Sequence, residues 1–129
     1  MRFIFFGAAP RTICAAYQRP PDRQSLPYAE VPTLVILRIW TAEIDPARAE
    51  EYEQFARERS LPMFRSHGGF RGCAFLRRGA DCTVVTLWAG PEDVAALEAS
   101  SVYDETVAAI MAAGFIRTAG AAIVVPVLL

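Results

Sequence analysis

The sequence predicts an α+β fold in which strand, helix, strand, strand, helix and strand follow one another, the ferredoxin-like βαββαβ order with an antiparallel sheet. Three observations carry this. A length of 129 residues and an apolar fraction of 53% fit one domain with its own core. From Thr33 onward, β-branched and large apolar stretches take turns with stretches of helical period opened by proline. Finally, "RIWTAEIDP" and "TLWAGP" each set an aliphatic–tryptophan pair ahead of a proline-opened helix, as the two halves of such a fold should.

Residues 1–32 lack any sustained period and hold prolines at positions 10, 20, 21, 27 and 32, so they read as an extended or disordered arm ahead of a domain at 33–129. "FIFFGAA" after Arg2 is too short an apolar core, broken by Pro10 and Arg11, to be a signal peptide. The first strand is "TLVILRIWTA". Asp45 then stands at an N-cap and Pro46 at the first helical position. The helix buries Ala49, Tyr52, Phe55, Ala56 and Met63 on one stripe and turns Glu50, Glu51, Glu53, Gln54, Arg57 and Glu58 outward. Pro62 is expected to kink or end it near Ser60.

"RGCAFLRR", Gly79-Ala80 and "DCTVVTLWA" form a β-hairpin with glycine first in a two-residue turn. Cys73 then opposes Thr86, Phe75 opposes Val84 and Arg77 opposes Cys82, so Cys73 and Cys82 do not face each other as a disulfide requires. Pro91 opens a short helix after Gly90. Ser100 or Ser101 caps a second segment carrying Val102, Tyr103, Val107, Ile110 and Met111, closed by Gly114. Residues 121–128, "AAIVVPVL", make a last strand that Pro126 assigns to an edge or to a late, unpaired position.

Alternation sorts the sheet into two faces. Val35, Leu37, Ile39, Ala74, Leu76, Val85 and Leu87 form one, which suits packing under two helices. The other carries Ile36, Arg38, Trp40, Cys73, Phe75, Val84, Thr86 and Trp88. At ~25 cal/mol per Å², hiding its aromatic side chains is worth several kcal/mol. A homodimer through Arg38, Trp40, Phe75 and Trp88 is the expected cover.

Charge and composition remove several function classes. The net charge is −1, and all 13 basic residues are arginine. Without residues 1–32 the chain keeps nine Arg against twelve Asp and Glu, which argues against nucleic acid as a partner. Cys14, Cys73 and Cys82 show no metal-ligand spacing and His67 is the only histidine, so no metal is expected. An odd cysteine count points to reduced thiols and a cytoplasmic location, and no apolar run approaches the roughly 20 residues of a membrane helix.

"HGGFRGCAFLRR" at 67–78 carries three apparent motifs. The oxyanion-hole reading of "HGGF" needs a G-x-S-x-G elbow, which is absent. The phosphate-cradle reading of "GGFRG" needs glycines that open a helix, and here they precede a strand. The RNA-binding octamer reading of "RGCAFLRR" fails at Cys73 and Arg78, where stacking aromatics belong, and falls on the second strand instead of the third. The glycines are an elbow between helix and strand.

Residues 34–128 resemble the antibiotic biosynthesis monooxygenase (ABM) superfamily through "ILRIW", "AEEYEQFARE", "GGFRGCAFLRR", "VVTLWAGPEDVAAL" and "SVYDETVAAI". The resemblance implies ferredoxin-like domains that pair sheet to sheet into a dimeric α+β barrel. It includes oxygenases of polycyclic aromatics that use neither metal nor flavin, and haem-degrading enzymes. The haem-degrading branch has an asparagine, a tryptophan and a histidine where this chain has Ile39, Leu97 and Val107, so haem degradation is disfavoured. A cofactor-independent oxygenase needs an apolar pocket for a small aromatic and polar groups that deprotonate a phenol or steady an enolate. His67 and Tyr52 are the catalytic candidates on that reading, and Tyr103, Arg71 and Phe55 the substrate-binding ones. Two alternatives stay open: the tyrosines as rim-satisfied core residues, with His67 an exposed helix-exit residue, and the whole chain as a noncatalytic dimeric module.

Overall fold

The computed structural model describes residues 2–7 and 34–128. Strand β1 is Arg2–Gly7 and β2 is Leu34–Ile44. Helix α1 follows as four joined pieces: a 3₁₀ turn Pro46–Arg48, an α-helical stretch Ala49–Phe55, a π-helical stretch Ala56–Ser60 and a final α-helical stretch Leu61–Arg65. Strands β3 (Phe70–Arg78) and β4 (Asp81–Trp88) form a hairpin, helices α2 (Pro91–Glu98) and α3 (Ser101–Ala112) follow, and β5 (Ile116–Ala119) and β6 (Ile123–Leu128) close the sequence of elements. The sheet runs β1-β3-β4-β2-β5, with β6 also paired to β2, and every pairing is antiparallel. Without β1, this is the ferredoxin-like βαββαβ order that the sequence predicts.

Local chemistry explains most boundaries. The Asp45 carboxylate accepts a hydrogen bond from the Ala47 N–H at 3.0 Å, with Pro46 first in the helix. Helix α1 passes through Pro62 instead of ending at Ser60. Proline has no N–H and its ring crowds the carbonyl four residues back. The π turn, in which the Leu61 N–H reaches the Ala56 carbonyl, relieves that conflict. In the hairpin, Arg78 opposes Asp81 and Gly79 has φ +61, the conformation a first-glycine II′ turn requires. The pairs Cys73–Thr86, Phe75–Val84 and Arg77–Cys82 are as predicted, and both cysteines are free. A bulge at Arg71 separates Phe70 opposite Trp88 from Gly72 opposite Leu87. The Ser100 hydroxyl accepts from the Tyr103 N–H at 3.3 Å, and Gly114, at φ +85, lies two residues beyond the end of α3.

The final strand is broken in two. β5 pairs with the far end of β2, β6 with its near end, and Pro126 sits opposite Ile36. The first residues of the expected arm are also strand: β1 lies along β3 from Arg2 opposite Arg77 to Gly7 opposite Gly72. Residues 8–33, including Cys14, lie outside the described residues.

The core corrects the predicted faces. Ile36, Cys73, Phe75, Val84 and Trp88 pack with Ala56, Leu61, Met63 and Phe64 of α1 and with Val94 and Leu97 of α2, and Arg38 is 5% exposed. The surface assigned to a partner through Arg38, Trp40, Phe75 and Trp88 is therefore the one the helices cover. A period of two separates two apolar faces without saying which lies inside, and the large aromatic side chains fill the deeper space under the helices. Leu37, Ile39, Leu76, Val85 and Leu87 are half-buried on the opposite side. Two helical stripes also differ from expectation: Glu53 is buried, while Val102, Val107 and Met111 are exposed.

Candidate functional site

A cavity of about 90 Å³ lies between the sheet and helices α1 and α3. Its floor is Arg38 and Trp40 of β2 with Phe75 and Val84 of the hairpin, neighbours on one face by strand register. The α1 wall is Tyr52, Ala56, Ser60, Met63 and Phe64, and includes both ends of the π stretch, a distortion common at functional sites. The α3 wall is Tyr103, Thr106, Val107 and Ile110. Of these residues Val107 is exposed and Trp40, Ser60 and Tyr103 are half-buried, which places the mouth on their side.

Among the described residues, Arg38 is the only charged side chain lining this cavity. Its Nε donates to Glu98 Oε2 at 3.1 Å and its Nη2 donates to the Tyr103 hydroxyl at 2.7 Å. The guanidinium carbon is 5.2 Å from the Tyr103 ring centroid. Glu98 ends α2 and is 45% exposed, so the charge it contributes is partly screened, whereas the guanidinium is enclosed. Beneath Arg38 a second network is fully buried. The Trp88 indole Nε1 donates to Thr86 Oγ1 at 2.8 Å, and Thr86, directly opposite Arg38, directs its hydroxyl to the Arg38 carbonyl at 3.4 Å.

The predicted site residues separate. Tyr52 and Tyr103 line the cavity. Tyr52 is 2% exposed and belongs to a second core cluster with Ile44, Ala49, Cys82, Ile110 and Phe115, where it lies beside Cys82 and the Glu53–Arg77 pair. Burial, then Cys82 and Glu53, push its pKa above the ordinary tyrosine value, so it stays protonated at neutral pH. His67, Arg71 and Phe55 do not line the cavity. His67 Nδ1 lies 2.9 Å from the Met63 carbonyl, in the turn after α1, and its ring stands edge-on to Trp88. Arg71 is exposed at the β3 bulge. Phe55 packs against Phe115, with the Arg59 guanidinium over its ring. The helical stripe placed Phe55 inward, but it faces the far cluster, beyond Tyr52.

Of the lining residues, the sequence assigns only Tyr52 and Tyr103 to the pocket; Arg38, Ser60 and Thr106 are polar ones that it does not. Arg38 left a signal: a lone charge inside "VILRIW" must find a buried partner or a ligand. Among the described residues, no group of three or more His, Cys, Asp or Glu side chains is gathered as a metal would require. None of their helices is long and apolar enough to cross a membrane.

With this geometry in place, comparison with solved structures is decisive for the fold. A candidate antibiotic biosynthesis monooxygenase from Caulobacter crescentus superposes with a TM-score of 0.58 at 16% identity, over 74% of this chain and 89% of that one. The fold is that of the ABM proteins. A candidate ABM protein from Nitrosomonas europaea gives a TM-score of 0.56 at 12% identity, covering 78% and 93% of the two chains. SnoaB from Streptomyces nogalater, a cofactor-independent oxygenase, gives 0.53 at 15% identity, covering 77% and 94%. No protein-family model and no curated protein matches this sequence. At these identities the ABM likeness concerns the backbone, and activity has to be argued from the cavity.

Proposed function

We propose that this protein is an ABM-type oxygenase that acts, without metal or organic cofactor, on a small aromatic substrate held in the helix–sheet cavity. The observation that carries the reading is the enclosed Arg38 cation at the edge of a largely apolar space. Such a site binds a flat hydrophobic ring and stabilises negative charge on an oxygen attached to it. A phenol held there ionises more readily, and its electron-rich ring is what dioxygen attacks. Addition at the carbon para to the oxygen gives a hydroperoxide, and loss of water leaves a quinone. One oxygen atom enters the product and the other leaves as water, so no external reductant is consumed. Tyr103, tied to Arg38, and Ser60 are the hydroxyls placed to orient the ring or the peroxide.

Oxygen consumption by purified protein with simple phenols, with anthrone for comparison, tests this. Uptake matched by quinone formation and lost in Arg38→Met is expected, whereas His67→Ala should retain it. No uptake above buffer with any phenol would overturn the oxygenase reading. It would favour the second reading, a noncatalytic ligand-binding module, which the largely apolar lining supports.

The same proposal includes a homodimer, now through the outer face of Val35, Leu37, Ile39, Ala74, Leu76, Val85 and Leu87. This face carries no charged side chain at those positions, and the described helices pack on the other side. Sedimentation of a monomer at micromolar concentration would refute it.

A further inference from the structure

Building on the cavity as the ligand site, we infer that its ligand is a single-ring aromatic compound bearing an ionisable oxygen, a phenol or a carboxylic acid, bound as the anion against Arg38. Two features of the site carry this. The first is size. A buried cavity of about 150 Å³ accepts benzene; a space of about 90 Å³ is smaller, so it holds at most one ring, with its walls moving apart and the ring's substituent at the open side. A fused-ring system does not fit without displacing α1 or α3 from the sheet. The second is unspent hydrogen-bonding capacity. A guanidinium has five N–H donors. Among the described residues Arg38 uses one on Glu98 and one on Tyr103, and the group is 5% exposed while lining the cavity. The remaining donors, on Nη1 and Nη2, suit an oxyanion in a place where water competes little. Glu98 opposes such a ligand by charge. Being half exposed and held through Nε alone, it leaves the outer edge of the guanidinium available.

The test uses 4-nitrophenol, whose ionisation is visible by its colour, with the full chain at neutral pH. The bound phenol should ionise about one pH unit below the free compound. Benzoate should displace it, the neutral benzamide should do so at least tenfold more weakly, and 9-anthracenecarboxylate should not displace it. Displacement by benzoate but no ionisation shift would assign the site to carboxylic acids; the converse would assign it to phenols. Glu98→Gln, a change at an exposed helix end, should tighten benzoate binding several-fold, and Arg38→Met should abolish the preference for benzoate over benzamide. Equal displacement by benzoate and benzamide, no effect of Glu98→Gln, or displacement by 9-anthracenecarboxylate would each overturn the inference while leaving the oxygenase reading to the oxygen-uptake assay. Tight anion binding without oxygen uptake would do the reverse. If no aromatic probe binds, the cavity is not a ligand site and both fail.

Discussion

Thr86→Val isolates the buried network beneath Arg38. Threonine and valine have nearly the same shape, so no cavity opens, and Thr86 is 1% exposed, so water cannot replace the lost hydroxyl. The substitution strands the Trp88 indole N–H, whose acceptor at 2.8 Å disappears in a side chain that is fully buried. An unsatisfied buried donor costs about 1–3 kcal/mol. The 3.4 Å contact to the Arg38 carbonyl is long enough to add little. A loss near 2 kcal/mol lowers the melting temperature of a domain this size by about 8–16 °C. Urea unfolding at fixed protein concentration reads the change directly. Trp88→Phe removes the donor, so in the double variant the orphan no longer exists, and its cost should fall short of the sum of the singles by about 1 kcal/mol or more. A Thr86→Val protein within about 0.5 kcal/mol of wild type, or a cycle additive within about 0.3–0.5 kcal/mol, would refute this account.

Other outcomes follow from single features. Gly69→Ala places a Cβ against the Asp93 carboxyl at a residue with φ +80, whereas Gly79→Ala, at φ +61, meets open space. The second should cost about 1–2 kcal/mol for the left-handed backbone and the first clearly more, as urea midpoints would show. Burial pushes the Cys73 thiol up to about 12 and the Cys82 thiol up to about 11. The folded chain keeps these protons after the unfolded chain begins to release them near pH 8.5, so their stabilising contribution is intact below that pH and is lost as pH rises through 11–12. The urea midpoint should therefore fall between pH 7.5 and pH 10, and fall less in Cys73→Ala/Cys82→Ala; equal slopes would contradict the assignment. Disulfide-exchange reagents at pH 8 should label no more than one thiol of the native protein. Val85→Asp, on the outer face, should yield a monomer by sedimentation with helical content retained.

Much of the fold was readable because its signals are local. Asp45-Pro46 starts a helix through one side-chain hydrogen bond and a preset φ, and Gly79-Ala80 fixes hairpin register to the residue because a two-residue turn admits one pairing. Both depend on neighbours within a few positions. What failed depends on distant packing. The two faces of "VILRIW" and "CAFLRR" are both apolar, and only the helices' need for bulk beneath them decides that Trp40, Phe75 and Trp88 go inward. The inversion carried the site with it: Arg38, assigned to a partner, is the charged group of the cavity, and His67 and Arg71 at the elbow lie away from it. The place of Tyr103 on α3, and so along the cavity, follows from the Ser100 cap. Strand β5 carries no sequence signal because "IRTA" is mostly exposed and, among the described residues, pairs only with the end of β2.

Pro62 can supply no N–H to the carbonyl of Glu58 or, in a π turn, to that of Arg57. The rung is missing from α1 where Ser60 and Met63 close over the cavity. Opening that turn therefore gives up one hydrogen bond fewer than opening any other turn of the helix, and amide exchange there should outpace that of Ala49–Phe55. The weakest point of the roof therefore lies on the helix side of the cavity, apart from the sheet and from the hydrogen bonds that hold Arg38.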